Sequence, residues 1–293
     1  MANTITLTVI ANMTSNYSEG LGNISTVQKV FRNGKTYAIR SKESLKNAIM
    51  VQSGFYDDLK VDVDGATQKD VTKENNAANC RALEGGYMNT KNDTIIRNSS
   101  FYVTDAVACA EYVNETRFHN NLFMAQTYAK ANKLNLQNDA GKCGLMPYQY
   151  EYDKSLKQYS VTINLDMIGK DPNFEDQEAS NEEKADRVIA LLDAIENLGL
   201  VVKGNLDNAE PIFAVGGISN RMTHYFENVV KVEDNKLLIS EDLKERLLGN
   251  FKVGFQDGSS IENAKEIYEE LNPKSVKKMF EELKDDIRKY YGV

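Results

Sequence analysis

An α+β fold is predicted, a βαββαβ plan opened by two polar insertions. Three observations predict it. Strand-type alternation recurs at Thr4–Met13 and again over Leu145–Ile168. One long stretch, Asn181–Gly199, carries its apolar residues at helical spacing. Between the periodic segments lie Phe55–Ile96 and Tyr112–Gly144, which are polar and irregular and read as excursions from a core.

In the first strand Ile5, Leu7 and Val9 alternate with Thr4, Thr6 and Thr8, predicting one buried face. Thr14–Thr26 is a long Ser/Asn/Gly loop. Asn33-Gly34 then separates two β-prone runs, Val27–Arg32 and Lys35–Arg40, and supplies the two φ > 0 positions of a type I′ hairpin. Ser41 is placed to cap a helix with Leu45, Ala48 and Ile49 on its apolar face, closed by Gly54. After the first excursion, Thr94–Val107 is ordered again. Tyr148, Tyr150 and Tyr152, then Tyr159, Val161, Ile163 and Leu165, predict two strands with a turn at Asp153-Lys154-Ser155, the second ending near Ile168-Gly169. Ser180 caps the long helix, whose face is Ala185, Val188, Leu191, Leu192, Ile195 and Leu198. Leu200–Val202, Pro211–Val215, Phe226–Val232 and Phe251–Phe255 read as short strands. Ser240–Leu248, Ile261–Leu271 and Pro273–Tyr290 read as mixed-charge helices forming a solvated outer layer. Strand, hairpin, helix, strand, strand, helix, strand is the ferredoxin-like plan.

The 293 residues allow a sizeable core, in one large domain or two small ones. Met1–Ile10 is too polar for a signal peptide, and no apolar run approaches the roughly 20 residues that span a bilayer. A cytoplasmic protein without membrane contact is expected. Cys80, Cys109 and Cys143 are far apart and odd in number, and only His119 and His224 join them, so no disulfide framework, metal or cofactor is expected. Asn-x-Ser/Thr triplets at Asn12, Asn16, Asn23, Asn92, Asn98 and Asn114 reflect an Asn-rich composition. Gly20-Leu21-Gly22 lacks the third glycine of a dinucleotide fingerprint.

The formal charge is −8, yet Lys29, Arg32, Lys35, Arg40, Lys42 and Lys46 face only Glu43 between Val27 and Gly54. Snorkelling lysines on a solvated hairpin account for such an island; so does a polyanion site. Arg97 beside Asn98, Ser99 and Ser100 forms a phosphate grip or an ordinary turn. Ser219-Asn220-Arg221 follows Gly216-Gly217, which lets backbone approach a ligand; its composition fits a phosphate or sugar, or a plain turn. In the second excursion, aromatics among cations and amides suit base stacking, while Phe118, Leu122, Phe123 and Met124 would equally make a local mini-core. Asp62 and Asp64 with the following glycine superficially resemble a calcium loop, but the EF-hand spacing and terminal Glu are absent, so they read as solvated acids.

NGKTYAIR, SKESLKNAI, RNSSFYVTDAVA, YQYEYDKSLKQYSVTINLDMIG and AVGGISNRMTHYF, in that order, resemble the backbone subunit of type I CRISPR interference complexes (Cascade), in the DevR-type, type I-B branch of the RAMP superfamily. Lys46 stands where that family more usually has arginine. The resemblance implies a modified RNA-recognition palm with fingers at 55–96, a thumb at 112–144 and a C-terminal helical extension. It implies no catalysis. The implied partners are guide crRNA, target DNA, further copies in a head-to-tail filament, other Cascade subunits and a recruited nuclease. The guide would be met by Lys29, Arg32, Lys35, Arg40, Lys42, Lys46, Arg97, Asn98, Ser99, His119, Asn120, Phe123, Ser219, Asn220 and Arg221. Rival readings are a type III-like subunit that cleaves target RNA, for which Asp62, Asp64 and Asp105 are the candidate acids, none in a distinctive context, and a protein-binding ferredoxin-like domain.

Overall fold

Hydrophobic alternation and serine caps lay out most of the elements. The computed structural model describes residues 3–17, 24–91, 94–202 and 204–293. Gly20–Gly22, Asn23 and Asn92 of the sequence reading lie outside them. The labelled elements are β1 (Thr4–Thr14), β2 (Lys29–Arg32), β3 (Lys35–Arg40), α1 (Lys42–Gln52), β4 (Phe101–Val103), β5 (Ala106–Ala108), β6 (Glu115–His119) and α2 (Leu122–Ala131). There follow β7 (Tyr148–Tyr152), β8 (Lys154–Asn164), α3 (Asn181–Glu196), β9 (Pro211–Ser219), α4 (Glu241–Leu247), β10 (Lys252–Phe255), α5 (Ala264–Leu271) and α6 (Val276–Tyr291). Ser41, Ser180, Ser240 and Ser275 each accept a hydrogen bond from the amide three residues on, opening α1, α3, α4 and α6.

The main sheet runs β10-β9-β1-β8-β5-β3-β2, with β4 also on β8. β1 pairs antiparallel with β8 from Thr4↔Asn164 to Thr14↔Lys154, and with β9 from Thr4↔Ser219. Stripped of hairpin and edge strand, the order β9-β1-β8-β4/β5 is that of the predicted α+β plan. A three-stranded sheet of β6, β7 and Ile24–Ser25 stands off it and carries α2.

One face of the sheet is covered by α1, α3 and α6. Ile5, Leu7, Val9 and Met13 meet Leu45, Ile49, Val188, Leu191, Leu192, Phe280 and Leu283 there. A second core on the opposite face joins Ile10, Phe213 and Val215 to Phe226, Val230, Leu237, Leu243 and Ile267. Each such side chain contributes about 1.5–3 kcal/mol by leaving water.

Several expectations are corrected. β1 is buried on both faces, because the threonine side lies under Arg221–Tyr225. Thr4 Oγ1 donates to the Arg221 carbonyl at 2.8 Å, Thr6 Oγ1 to that of Thr223 at 3.3 Å, and Thr8 Oγ1 pairs with Ser160 Oγ at 2.7 Å. β8 ends at Asn164, where Leu165 turns to donate to Asn3 O. Phe226–Val229 is turn and Val230–Lys231 irregular, not strand, with only Val232–Glu233 paired to Lys236–Leu237. The last helix is no solvated layer: Met279, Phe280, Leu283, Ile287 and Tyr291 of α6 complete the main core. The second excursion's mini-core is Ala125, Ala129 and Cys143 with Leu134, Leu136 and Leu145, while Phe118, Phe123 and Met124 point to solvent. The first excursion has its own small core of Ala77, Cys80, Ala82, Leu83 and Tyr87. No helix among the described residues is long and apolar enough to cross a membrane.

Gly216 and Gly217 serve the fold. A Cβ on Gly216 would stand 2.0 Å from Thr6 O of the neighbouring strand, and one on Gly217 2.9 Å from Asn250 O. Both are close backbone approaches inside the protein, not openings for a ligand. Gly216→Ala should lower stability by at least about 2 kcal/mol, read from urea unfolding; an unchanged midpoint would contradict the packing described.

Candidate nucleic-acid interface

Asn33 and Gly34 sit at φ 51° and 78°, as the I′ turn requires, and bring Arg32 opposite Lys35 at the hairpin tip. Both side chains are exposed. The tip also exposes Phe31, 71% accessible, which the charge-led reading missed. Lys35 comes no nearer than 3.9 Å to Glu111, itself exposed, and such a pair is weak. At the hairpin base Lys29 Nζ reaches Glu151 of β7 at 2.5 Å and lies 4.8 Å over the Tyr112 ring. Lys42 opens α1 with its side chain in solvent, and its amide donates to Asp105 Oδ1 at 2.8 Å.

The same rim carries the stem of the second insertion. Val27 N donates to Glu151 Oε2 at 2.9 Å, so one carboxylate pins hairpin to stem. His119 stacks on Tyr150 at 4.8 Å and on Tyr148 at 5.6 Å. Arg117 lies flat on Tyr152, 3.4 Å from the ring centroid. The cross-strand register β6/β7 makes these stacks: His119 is directly opposite Tyr148, while His119–Tyr150 and Arg117–Tyr152 are diagonal neighbours. Asn120 Oδ1 accepts from Leu122 N at 3.1 Å at the start of α2, whose Phe123 is 81% exposed.

Other named residues are elsewhere. Arg40 is buried, donating to Thr14 O at 3.0 Å and Ser44 Oγ at 2.8 Å, which ties the end of β1 to α1. Burial pushes its guanidinium down to about 10, against the pull of Asp207. Lys46 is half-buried and donates to Ser99 Oγ at 2.8 Å and Gly85 O at 3.1 Å. Asn98 is exposed beside it. Arg97 is fully interior: it serves the carbonyls of Lys170, Leu83 and Met167, and Glu84 at 2.9 Å. It is a structural arginine, not a phosphate grip, since every arm is spent inside. Ser219, Asn220 and Arg221 sit at the Thr4 end of β1, about 30 Å from Arg40 at roughly 3.3 Å per residue. Arg221 rests over Tyr225 at 4.9 Å. The fifteen residues therefore do not form one trough; Lys29, Arg32, Lys35 and Lys42 lie along the hairpin and the start of α1, and Glu151 ties the hairpin base to the stem that leads to His119, Asn120 and Phe123. Among the described residues no group of three His, Cys, Asp or Glu is placed to hold a metal. Asp62 is bound to Lys91, and His224 packs against Thr162 Oγ1 at 2.9 Å.

The family described as "CRISPR-associated negative auto-regulator DevR/Csa2" matches residues 5–238. The chain belongs to this DevR/Csa2 family. A solved chain described as "CRISPR RNA-guided surveillance complex, pre-nicking" superposes with a TM-score of 0.58 at 9% identity, covering 88% of this chain and 94% of its own. Another, described as "CRISPR RNA-guided surveillance complex", gives 0.49 at 13% identity over 88% and 93%. At these identities the first likeness is one of fold. No curated protein matches the sequence.

In this DevR/Csa2 chain the interior cations make two checkable statements. Arg97→Ala leaves Glu84 buried with one guanidinium fewer and should cost about 3–5 kcal/mol of stability; loss of RNA binding with stability intact would contradict the structural role. Burial, then the charges of Lys69 and Lys42, push Lys46 down to about 8, while the unfolded chain keeps the ordinary value of 10.5. The unfolded state thus holds more protons between about pH 8 and 10.5, so stability rises with pH across that window. Lys46→Met should flatten that rise in unfolding measured against pH; an identical slope would show the amine to be ordinary.

Proposed function

We propose that this protein is the non-catalytic backbone subunit of a type I-B Cascade complex. It grips guide crRNA by sugar and phosphate, lines up head to tail with further copies along it, and presents its bases to target DNA. Other Cascade subunits complete the particle, and a recruited nuclease does the cutting, in the cytoplasm. The insertions serve as fingers (55–96) and thumb (112–144), with β7 completing the thumb's stem.

The observation that carries this reading is the set of exposed cations along the hairpin and the start of α1, Arg32, Lys35 and Lys42, with an aromatic stem tied to the hairpin base by Glu151 and an α2 whose Phe123 and Met124 are bare. A guide of arbitrary sequence demands contacts that ignore base identity, and cations on phosphate meet that demand. Bare apolar side chains of this size mark a surface meant to be covered. The fold likeness to a chain from an RNA-guided surveillance complex points the same way.

Replacing Arg32, Lys35 and Lys42 together by alanine should weaken binding to unrelated guides alike. It should also lower the slope of log K against log salt by about 2, at roughly 0.7 per phosphate on a single strand. A loss confined to one guide sequence would contradict backbone recognition. Incubation of the assembled particle with complementary RNA and magnesium should leave that RNA whole; evenly spaced cuts would show catalysis instead.

A further inference from the structure

The loop that closes over the threonine side of β1 is held by more bonds than a plain connection requires. Thr4 Oγ1 donates to Arg221 O at 2.8 Å. Thr6 Oγ1 accepts from Tyr225 N at 3.2 Å, and Thr162 Oγ1 of β8 donates to Thr223 O at 3.0 Å. All three threonines are buried. The loop so fixed carries two guanidiniums onto one ring. Arg221 Cζ lies 4.9 Å from the centroid of Tyr225, and Arg246 Cζ lies 5.0 Å from it. We propose that Arg221 and Arg246 form an oxyanion site for a phosphomonoester group. The site stands at the Thr4 end of β1, whereas Arg40 and the hairpin meet its Thr14 end. It therefore goes beyond the guide-binding reading and does not rest on it.

The two charges are unspent. Arg81, Arg97, Arg187 and Arg288 each hold a carboxylate. Among the described residues Arg221 and Arg246 hold none, and the Arg221 guanidinium donates no hydrogen bond. Arg246 gives one arm to Tyr225 O and keeps the others. Two like charges aimed at one ring repel, and a bound anion turns that repulsion into attraction.

The frame is preorganised. Phe251 stacks on Tyr225 at 5.4 Å and Phe226 meets it edge on at 5.1 Å, so two further rings fix the one that carries the guanidiniums. Arg221 comes from the loop after β9 and Arg246 from the last turn of α4, so only the folded chain brings them together. The number of charges selects the ligand. A phosphomonoester carries about 1.5 to 2 negative charges at pH 7 and three acceptor oxygens, which suits two forked cations. A backbone phosphodiester carries a single charge, which one guanidinium satisfies. A free nucleotide and the phosphorylated end of a strand both present the monoester.

The test titrates the full chain by calorimetry with uridine monophosphate, with its methyl diester, and with a short oligouridine that has or lacks a terminal phosphate. The monoester should bind at least about tenfold tighter than the diester, the gain of a charge-assisted bond. Inorganic phosphate should displace it. Arg221→Gln alters an exposed side chain. It should remove the tenfold margin while leaving the unfolding midpoint and the binding of unphosphorylated oligouridine unchanged. Arg221→Lys keeps the charge, loses the fork and should retain only part of the margin. Equal binding of monoester and diester, a margin that survives Arg221→Gln, or no binding of the monoester would overturn the site. So would loss of unphosphorylated oligouridine in Arg221→Gln, which would put Arg221 on the guide's own path. A gain from the terminal phosphate of the oligomer assigns the site to strand ends; a margin confined to the mononucleotide assigns it to a free nucleotide.

Discussion

Glu84, a carboxylate with no solvent exposure, is the point on which the architecture turns. One oxygen receives Arg97 at 2.9 Å and the Ser100 hydroxyl; the other receives Arg187 at 2.7 Å and the Gly169 amide at 2.7 Å. Removing a carboxylate from water costs several kcal/mol, and only a full set of donors offsets it. The donors come from three separate places: the segment Arg97–Ser100 that leads into β4, the turn after β8, and α3. Arg187 extends the network to the carbonyls of Ala77 and Ala78, and Glu183 joins it to Arg81 at 2.7 Å. The first insertion is thus bolted to the sheet's helical face by charge, while its own apolar core of a few small side chains is slight.

That arrangement divides the cations by role. Arg40, Lys46, Arg97 and Arg187 hold elements together because each is buried or half-buried and its donors end on carbonyls, hydroxyls or carboxylates. Arg32, Lys35 and Lys42 keep their heads in water. A chain with net charge −8 can present a basic rim only if its acids are spent elsewhere. Some of the acid is: Glu196 and Asp193 hold Lys284 between α3 and α6, and Glu282 holds Lys274.

The second insertion shows the opposite economy. α2 turns its small residues, Ala125 and Ala129, inward against Cys143 and its large ones, Phe123, Met124 and Tyr128, outward. An isolated soluble domain would reverse that preference. The stem below is built of stacked His119, Tyr148 and Tyr150, and α2 with its bare side chains follows directly from it.

Local chemistry in the chain was enough for the hairpin, the caps at Ser41 and Ser180, and the long alternations of β1 and β8. Each of these depends on a few neighbouring residues: φ > 0 at Asn33-Gly34, a serine oxygen three residues before an amide, a period of two. Which arginine is a tool and which a bolt was not readable, because Arg32 and Arg97 differ only in what distant segments place around them. Threonines of β1 looked like a wet face until Arg221–Tyr225 folded over them, and Gly216 looked like a ligand site until Thr6 came within a Cβ radius. The pattern of the chain decided the secondary elements and their order. Only tertiary contact, by removing some polar groups from water and leaving others in it, decided which charges and rings remain available to bind.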